Sequence, residues 1–144
     1  MTLDSIQVTS GLRSRHVCHF YNEAAFRHFL AVDRARAQRS QRFLYLVLVA
    51  LRAGVGRRSA LANATATLLF RGLGASVREV DFVGWFVEGR VPAAVLAQGL
   101  KASDSGLAPT IAQRVAAELE KRLSHAESQN LRVRVVRLGA RARM

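Results

Sequence analysis

Arg78-Glu79-Val80-Asp81-Phe82-Val83-Gly84-Trp85-Phe86-Val87-Glu88-Gly89-Arg90-Val91-Pro92 decides how the chain is to be read. Phe82–Val87 is rich in β-branched and aromatic residues, Glu88-Gly89 offers a turn, and a second apolar run, Val91–Ala97, follows. Two β-forming runs around a glycine-bearing turn predict a β-hairpin. An Arg-x-x-Asp pair, Arg78 and Asp81, stands just ahead of it.

Working outward, the segment before the hairpin predicts a helix over Ser59–Leu73, with Leu61, Thr65, Leu68 and Leu69 on its buried side. Gly72 and Gly74 fit its C-terminal end. Arg52–Arg58, with Gly54 and Gly56, makes the connection back to Phe43–Leu51. That unbroken apolar run reads as a strand buried on both faces. Earlier still, Tyr21–Gln41 has a helical period: Phe26, Phe29, Leu30 and Val32–Asp33 form one face, opposite Arg27, Arg34, Arg36 and Arg39. Asn22 is its expected N-cap, with Glu23 in the first turn. Met1 to Phe20 reads as a loosely attached arm, and 21–144 as one domain.

Beyond the hairpin, Gln98–Ser105 is a polar loop, and Pro109 suits the first turn of a helix running to about His125. Ile111, Val115, Leu119 and Leu123 form its stripe. Leu131–Leu138 alternates, with Leu131, Val133 and Val135 on one side and Arg132 and Arg134 on the other. This predicts a strand with one wet face. Gly139–Met144 is a basic tail. The order is α-β-α-β-β-α-β. Without its leading helix it is βαββαβ, the ferredoxin-like plan of an antiparallel four-stranded sheet with its helices on one face. The expected class is α+β.

The 144 residues carry a net charge of +12 and are half apolar, enough for one domain with a core. The excess is almost all arginine and suggests an anionic partner: nucleic acid, a membrane surface or a phosphorylated ligand. Arginine is also spread along the whole chain, as composition alone can produce. Phe43–Leu51, the longest apolar run, is about half of the ~20 residues a spanning helix needs. Met1–Ser10 has no apolar block of the signal-peptide kind. Cys18 has no partner for a disulfide, which fits a reducing, cytoplasmic setting. No phosphate-binding loop, Ser/His/Asp set or Cys-x-x-Cys pair is present.

Arrangement and hairpin together resemble the GGDEF (diguanylate cyclase) domain over roughly Phe20 to Leu138. In that family an Arg-x-x-Asp pair precedes the hairpin, and the signature forms its turn. Here Val87-Glu88-Gly89-Arg90-Val91 occupies the signature positions. The departures matter more. Val87 and Glu88 stand where the first two turn glycines belong, and Gly89 and Arg90 replace the acidic pair. Ala50-Leu51-Arg52-Ala53-Gly54 stands where active members place a metal-binding Asp followed by Phe-Lys. Two divalent cations holding a triphosphate need oxygen ligands. The expected set is gone, so the resemblance implies a domain without cyclase activity, metal or cofactor.

The resemblance also implies a regulatory site. Arg78 and Asp81 match the pair that binds cyclic di-GMP in the family, and Arg114 aligns with the second arginine supplied by the following helix. An arginine fork matches guanine O6 and N7, and a carboxylate can accept from the N1–H and N2 edge. The plain alternative is a local ion pair worth under ~1 kcal/mol. Three functions therefore compete. The first is a non-catalytic cyclic di-GMP receptor that passes its signal to a downstream protein. The second is a ligand-free scaffold that forms homodimers or binds proteins through Trp85 or the Tyr21–Gln41 helix. The third, a basic nucleic-acid-binding domain, is disfavoured because the strands lack aromatic pairs for stacking bases.

Among other residues, His16, Cys18 and His19 have the chemistry of zinc ligands but no visible fourth partner. His28 and His125 read as helix-surface residues, Tyr45 as core, and Trp85 as core packing.

Overall fold

The computed structural model describes residues 20–53, 57–58, 61–76, 80–96 and 106–139, with the side chains of 53, 57, 58, 80 and 81 left aside. The elements are α1 (Glu23–Arg39), β1 (Phe43–Ala53), β2 (Arg57–Arg58), α2 (Asn63–Ser76), β3 (Val80–Val87), β4 (Val91–Leu96), α3 (Ala108–Glu120), α4 (His125–Gln129) and β5 (Leu131–Gly139). Four strands pair antiparallel in the order β5-β1-β4-β3, and β2 pairs with the end of β1. β1 and β3 therefore run the same way with β4 between them. This is the expected βαββαβ plan, with α1 in front.

β1 and β4 are the inner strands, and their sequences say so. β1 reads Phe-Leu-Tyr-Leu-Val-Leu-Val, and all six residues of β4 are buried. Alternate residues feed two separate cores, one on each face of the sheet. On one face, Tyr45, Val47, Val49 and Leu51 pack with Trp85 and Ala94 beneath α2 and α3. On the other, Leu44, Leu46, Ala93 and Val95 pack with Phe26 and Ala37 of α1. The two helices of the βαββαβ core thus share one face, as expected, and the leading helix α1 covers the other. The leading helix supplies the second layer that Leu44 and Leu46 require.

α1 begins as expected: Asn22 Oδ1 accepts the Ala25 amide at 2.9 Å. Its buried face is narrower than its sequence suggested. Phe26 and Ala37 are buried and Leu30 half-buried, but Phe29 and Val32 remain 38% and 36% exposed. α2 also starts later and ends later than its sequence suggested. Its buried face is Ala66, Leu69, Phe70, Gly72, Leu73 and Ser76, while Leu61, Thr65 and Leu68 are only half-buried. Gly72 is not a terminal glycine. It lies inside the helix, where a Cβ would run into the Leu119 side chain of α3, so a glycine suits the close approach of α2 to α3 there.

The last helix is two helices rather than one. α3 stops at Glu120, and a capping box opens α4: Ser124 Oγ accepts the Glu127 amide and Glu127 accepts the Ser124 amide. In β5, Arg132 and Arg134 are exposed as expected, but Val136 and Leu138 pack against the α1 core. The strand is wet on that face only along its first half.

Candidate functional site

Two places in the fold bear on function, and they lie at opposite ends of the sheet. Val87, Val91 and the end of β1 share one end; Val80 pairs with Leu96, which pairs with Tyr45, near the other.

At the first end, Glu88, Gly89 and Arg90 make the hairpin turn. Val87 pairs with Val91, and the Arg90 amide donates to the Val87 carbonyl at 2.9 Å. Gly89 has φ +74°, the left-handed region that a side chain would strain. The pairing shifts between Trp85 and Val87, which leaves Phe86 as a bulge. Its carbonyl is taken by Arg27 of α1, whose Nε and Nη2 donate at 3.0 and 2.6 Å. The same guanidinium lies 4.3 Å from the centre of the Phe86 ring and 3.1 Å from Glu23.

The turn is held from two sides. Glu88 Oε1 accepts the Glu23 amide at 2.9 Å, and Glu23 Oε1 accepts the Glu88 amide at 2.7 Å. On the other side, the Gly89 carbonyl accepts the Leu61 amide at 2.8 Å. Glu88 thus satisfies a donor that the first turn of α1 leaves free, in the position where negative charge is favoured. Beside the turn, an open cavity of about 220 Å³ is lined by Leu51, Arg52, Leu61, Ala62, Thr65, Glu127 and Asn130. Its one carboxylate is already engaged: Glu127 closes the capping box and sits 3.5 Å from Thr65 Oγ1. Among the described residues no three His, Cys, Asp or Glu side chains gather as a metal site. His16, Cys18 and His19 lie outside the described residues.

At the second end, Arg78 also lies outside the described residues. Asp81 belongs to β3 and is the extra residue of a second shift in pairing, between Val80 and Phe82. Bulges re-aim side chains and are common beside functional sites. Arg114 is exposed on α3. Its neighbours Ile111 and Val115 are buried, so that helix is fixed to the sheet. The described residues place Asp81 on β3 and Arg114 on α3 without bringing them together, so the Arg78–Asp81–Arg114 grouping stays an expectation from the resemblance.

Trp85 is core. It is 8% exposed and meets the Phe70 ring edge-on at 5.1 Å. Phe20 stacks on Phe70 at 4.2 Å, while its neighbour Tyr21 turns to the other face and packs on Phe29. Between them the chain joins the edge of β3. The Tyr21 amide donates to Val83 at 3.0 Å, and Tyr21 accepts from the Trp85 amide at 2.9 Å. Sequence reasoning missed this strap and the Glu23–Glu88 exchange. Gly84 was the available signal: a Cβ there would lie 2.7 Å from the Tyr21 carbonyl oxygen.

No protein-family model matches the chain, and no curated protein does. Solved structures do. A DGC protein from Thermotoga maritima is 14% identical, with a TM-score of 0.58 over 85% of this chain and 83% of that one. The GGDEF domain of FimX from Pseudomonas aeruginosa is 17% identical, with a TM-score of 0.52 over 88% and 80%. The GGDEF domain of TpbB (YfiN) from the same organism is 18% identical, with a TM-score of 0.57 over 83% and 71%. The two-faced α+β sheet with its central hairpin is the fold of GGDEF domains.

Proposed function

We propose that the chain is a catalytically inactive GGDEF-like domain that receives cyclic di-GMP through Arg78, Asp81 and Arg114. The observation that carries the inactive half is the fate of Glu88. It is the one acidic side chain in the turn, and its carboxylate caps α1 instead of facing open space. The end of β1 offers Ala50, Leu51 and Arg52, none of them an oxygen ligand. These residues do not fit a pair of divalent cations, and no step is routed through such ions.

The receptor half is supported by the bulge at Asp81 and by the exposed guanidinium of Arg114 on a rigid helix. Ligand captured there would sit away from the clamped turn. Calorimetric titration with cyclic di-GMP tests the reading, with GTP and Mg²⁺ alongside and Arg78→Ala and Asp81→Ala for comparison. Saturable micromolar binding, lost in both variants, is the expected result. Absence of heat would leave Arg78 and Asp81 as an ion pair. GTP turnover would overturn the inactive half.

A second reading, a ligand-free scaffold, is favoured by Phe29 and Val32, which stay exposed on α1. It predicts concentration-dependent self-association that cyclic di-GMP does not alter.

A further inference from the structure

The two faces of the sheet are covered unequally. On one, α2 and α3 lie side by side. On the other, α1 is the one helix among the described residues. A helix is about 10–12 Å across with its side chains, and four strands span roughly 14 Å between outer axes. α1 also crosses obliquely. It starts at the hairpin turn beside β3, where Glu23 meets Glu88, and ends with Ala37 near Gly139 of β5. Among the described residues, no helix lies above the corner at the start of β5 and the end of β1.

Cross-strand pairing fixes what faces that corner. Leu48 opposes Arg134, and Ala50 opposes Arg132, on the face that holds Leu44 and Leu46. Leu48 and Ala50 are half-buried, although their strand is central. Arg132 and Arg134 on β5 share the face and are exposed. Arg132 is held by the Gln129 and Leu131 carbonyls at 3.3 and 2.9 Å. From α1, Arg27, Ala31 and Arg34 recur at i, i+4 and i+7 and so share a flank. Arg27 reaches Phe86 beside the turn, which turns that flank toward the corner; Phe29, against Phe82, is on the other. Glu23 and Glu88 border the turn side, already engaged with each other's amides and with Arg27.

We propose that this corner, floored by Leu48 and Ala50 and rimmed by Arg34, Arg132 and Arg134, docks an acidic amphipathic helix of a partner protein. The arginines call for carboxylates, and the floor calls for apolar side chains. Helix-in-groove recognition supplies both at once. A nucleic-acid backbone would satisfy the arginines but leave the floor uncovered. The given sequence has no acidic amphipathic stretch in its terminal residues. Residues 1–19 hold one acidic side chain, Asp4, and 140–144 are basic. A second copy would bring another +12. The surface is separate from the proposed cyclic di-GMP residues, so either proposal can fail without the other.

The test uses the full chain and a synthetic helical peptide with leucines on one face and glutamates on the other. Binding is followed by fluorescence anisotropy and by amide shifts in the NMR spectrum. The expected result is saturable binding that shifts Leu48, Ala50 and Arg134, weakened about tenfold or more in Arg132→Glu/Arg134→Glu. Arg71→Glu/Lys121→Glu, an equal charge change on exposed residues of α2 and the end of α3, should leave it within about twofold. Three outcomes overturn the proposal: equal loss in both double variants, equal binding of polyglutamate without leucines, or tighter binding of an RNA duplex at these residues.

Discussion

Glu23 and Glu88, 65 residues apart, each accept a hydrogen bond from the other's backbone amide, at 2.7 and 2.9 Å. Two carboxylates therefore stand close together without opposing each other, because each is answered by an N–H and Arg27 lies against Glu23. The exchange ties the hairpin turn to the first turn of α1.

Glu88→Ala should cost about 0.5–2 kcal/mol, the usual range for losing a helix N-terminal acceptor. Urea unfolding would give the value. Amide exchange should quicken first at Glu23. An unchanged midpoint would mean that water replaces the carboxylate at no cost.

Gly84→Ala places a methyl group 2.7 Å from the Tyr21 carbonyl oxygen and 2.9 Å from Phe26 Cδ1. The Tyr21 strap or α1 must shift, at about 1–3 kcal/mol. The Trp85 amide, which donates to Tyr21, should lose exchange protection while Val47 keeps its own.

Phe70→Ala removes the ring on which Phe20 stacks and against which Trp85 rests. Loss of a fully buried aromatic costs about 3–5 kcal/mol. Trp85 emission should move to the red, because water gains access to an indole now sealed from it.

On the proposed receptor reading, Arg114→Ala should weaken cyclic di-GMP binding while changing the unfolding free energy by no more than about 0.5 kcal/mol, since the side chain is exposed. Calorimetry and denaturant unfolding on one preparation separate the two effects.

Hydrogen bonds from Arg122 and then Lys121 hold the Glu118 carboxyl below its ordinary 4.5. A depressed carboxyl stabilises the folded state above its unfolded pKa, and that gain is lost as pH falls through the lower folded value. Glu118→Gln should therefore lower the midpoint at neutral pH, with the gap to the native chain closing only below pH 4.5. The contribution is small because the pairs lie at the surface, Lys121 being largely exposed, and solvent screens them.

Strand order and hairpin were legible because their signals are local. Phe43–Leu51 reads as an inner strand from its unbroken apolar run, and Gly89 marks the hairpin-turn position with positive φ. Trp85 and Tyr45 read as core for the same reason. Helix faces were less legible. Phe29 and Val32 continue the apolar period of α1, yet the helix turns Phe26 and Ala37 to the sheet, so Phe29 meets only Tyr21 and Phe82 from one flank and Val32 stays exposed; periodicity carries no information about how a helix is rolled on its sheet. α4 was missed although Ser124 and Glu127 have capping-box spacing, because Leu123 completed a longer stripe that drew the eye past it. At the candidate site, residue types point to a ligand only through resemblance. An Arg-x-x-Asp pair carries no pattern of burial or period that separates a binding site from an ion pair.

The Tyr21–Gly84 bridge has a consequence for how the chain is assembled on the ribosome. Phe20, Tyr21 and α1 are made before β1, yet the edge they seal and the turn that caps them do not exist until Val83–Glu88 has been added. Until then Phe26 and Leu30 have no sheet to cover. The first described residues to be synthesised are thus among the last to dock, and such distant pairing is slow to form. A nascent chain halted before Trp85 should carry an unsatisfied apolar helix, a substrate for chaperones that the finished domain is not.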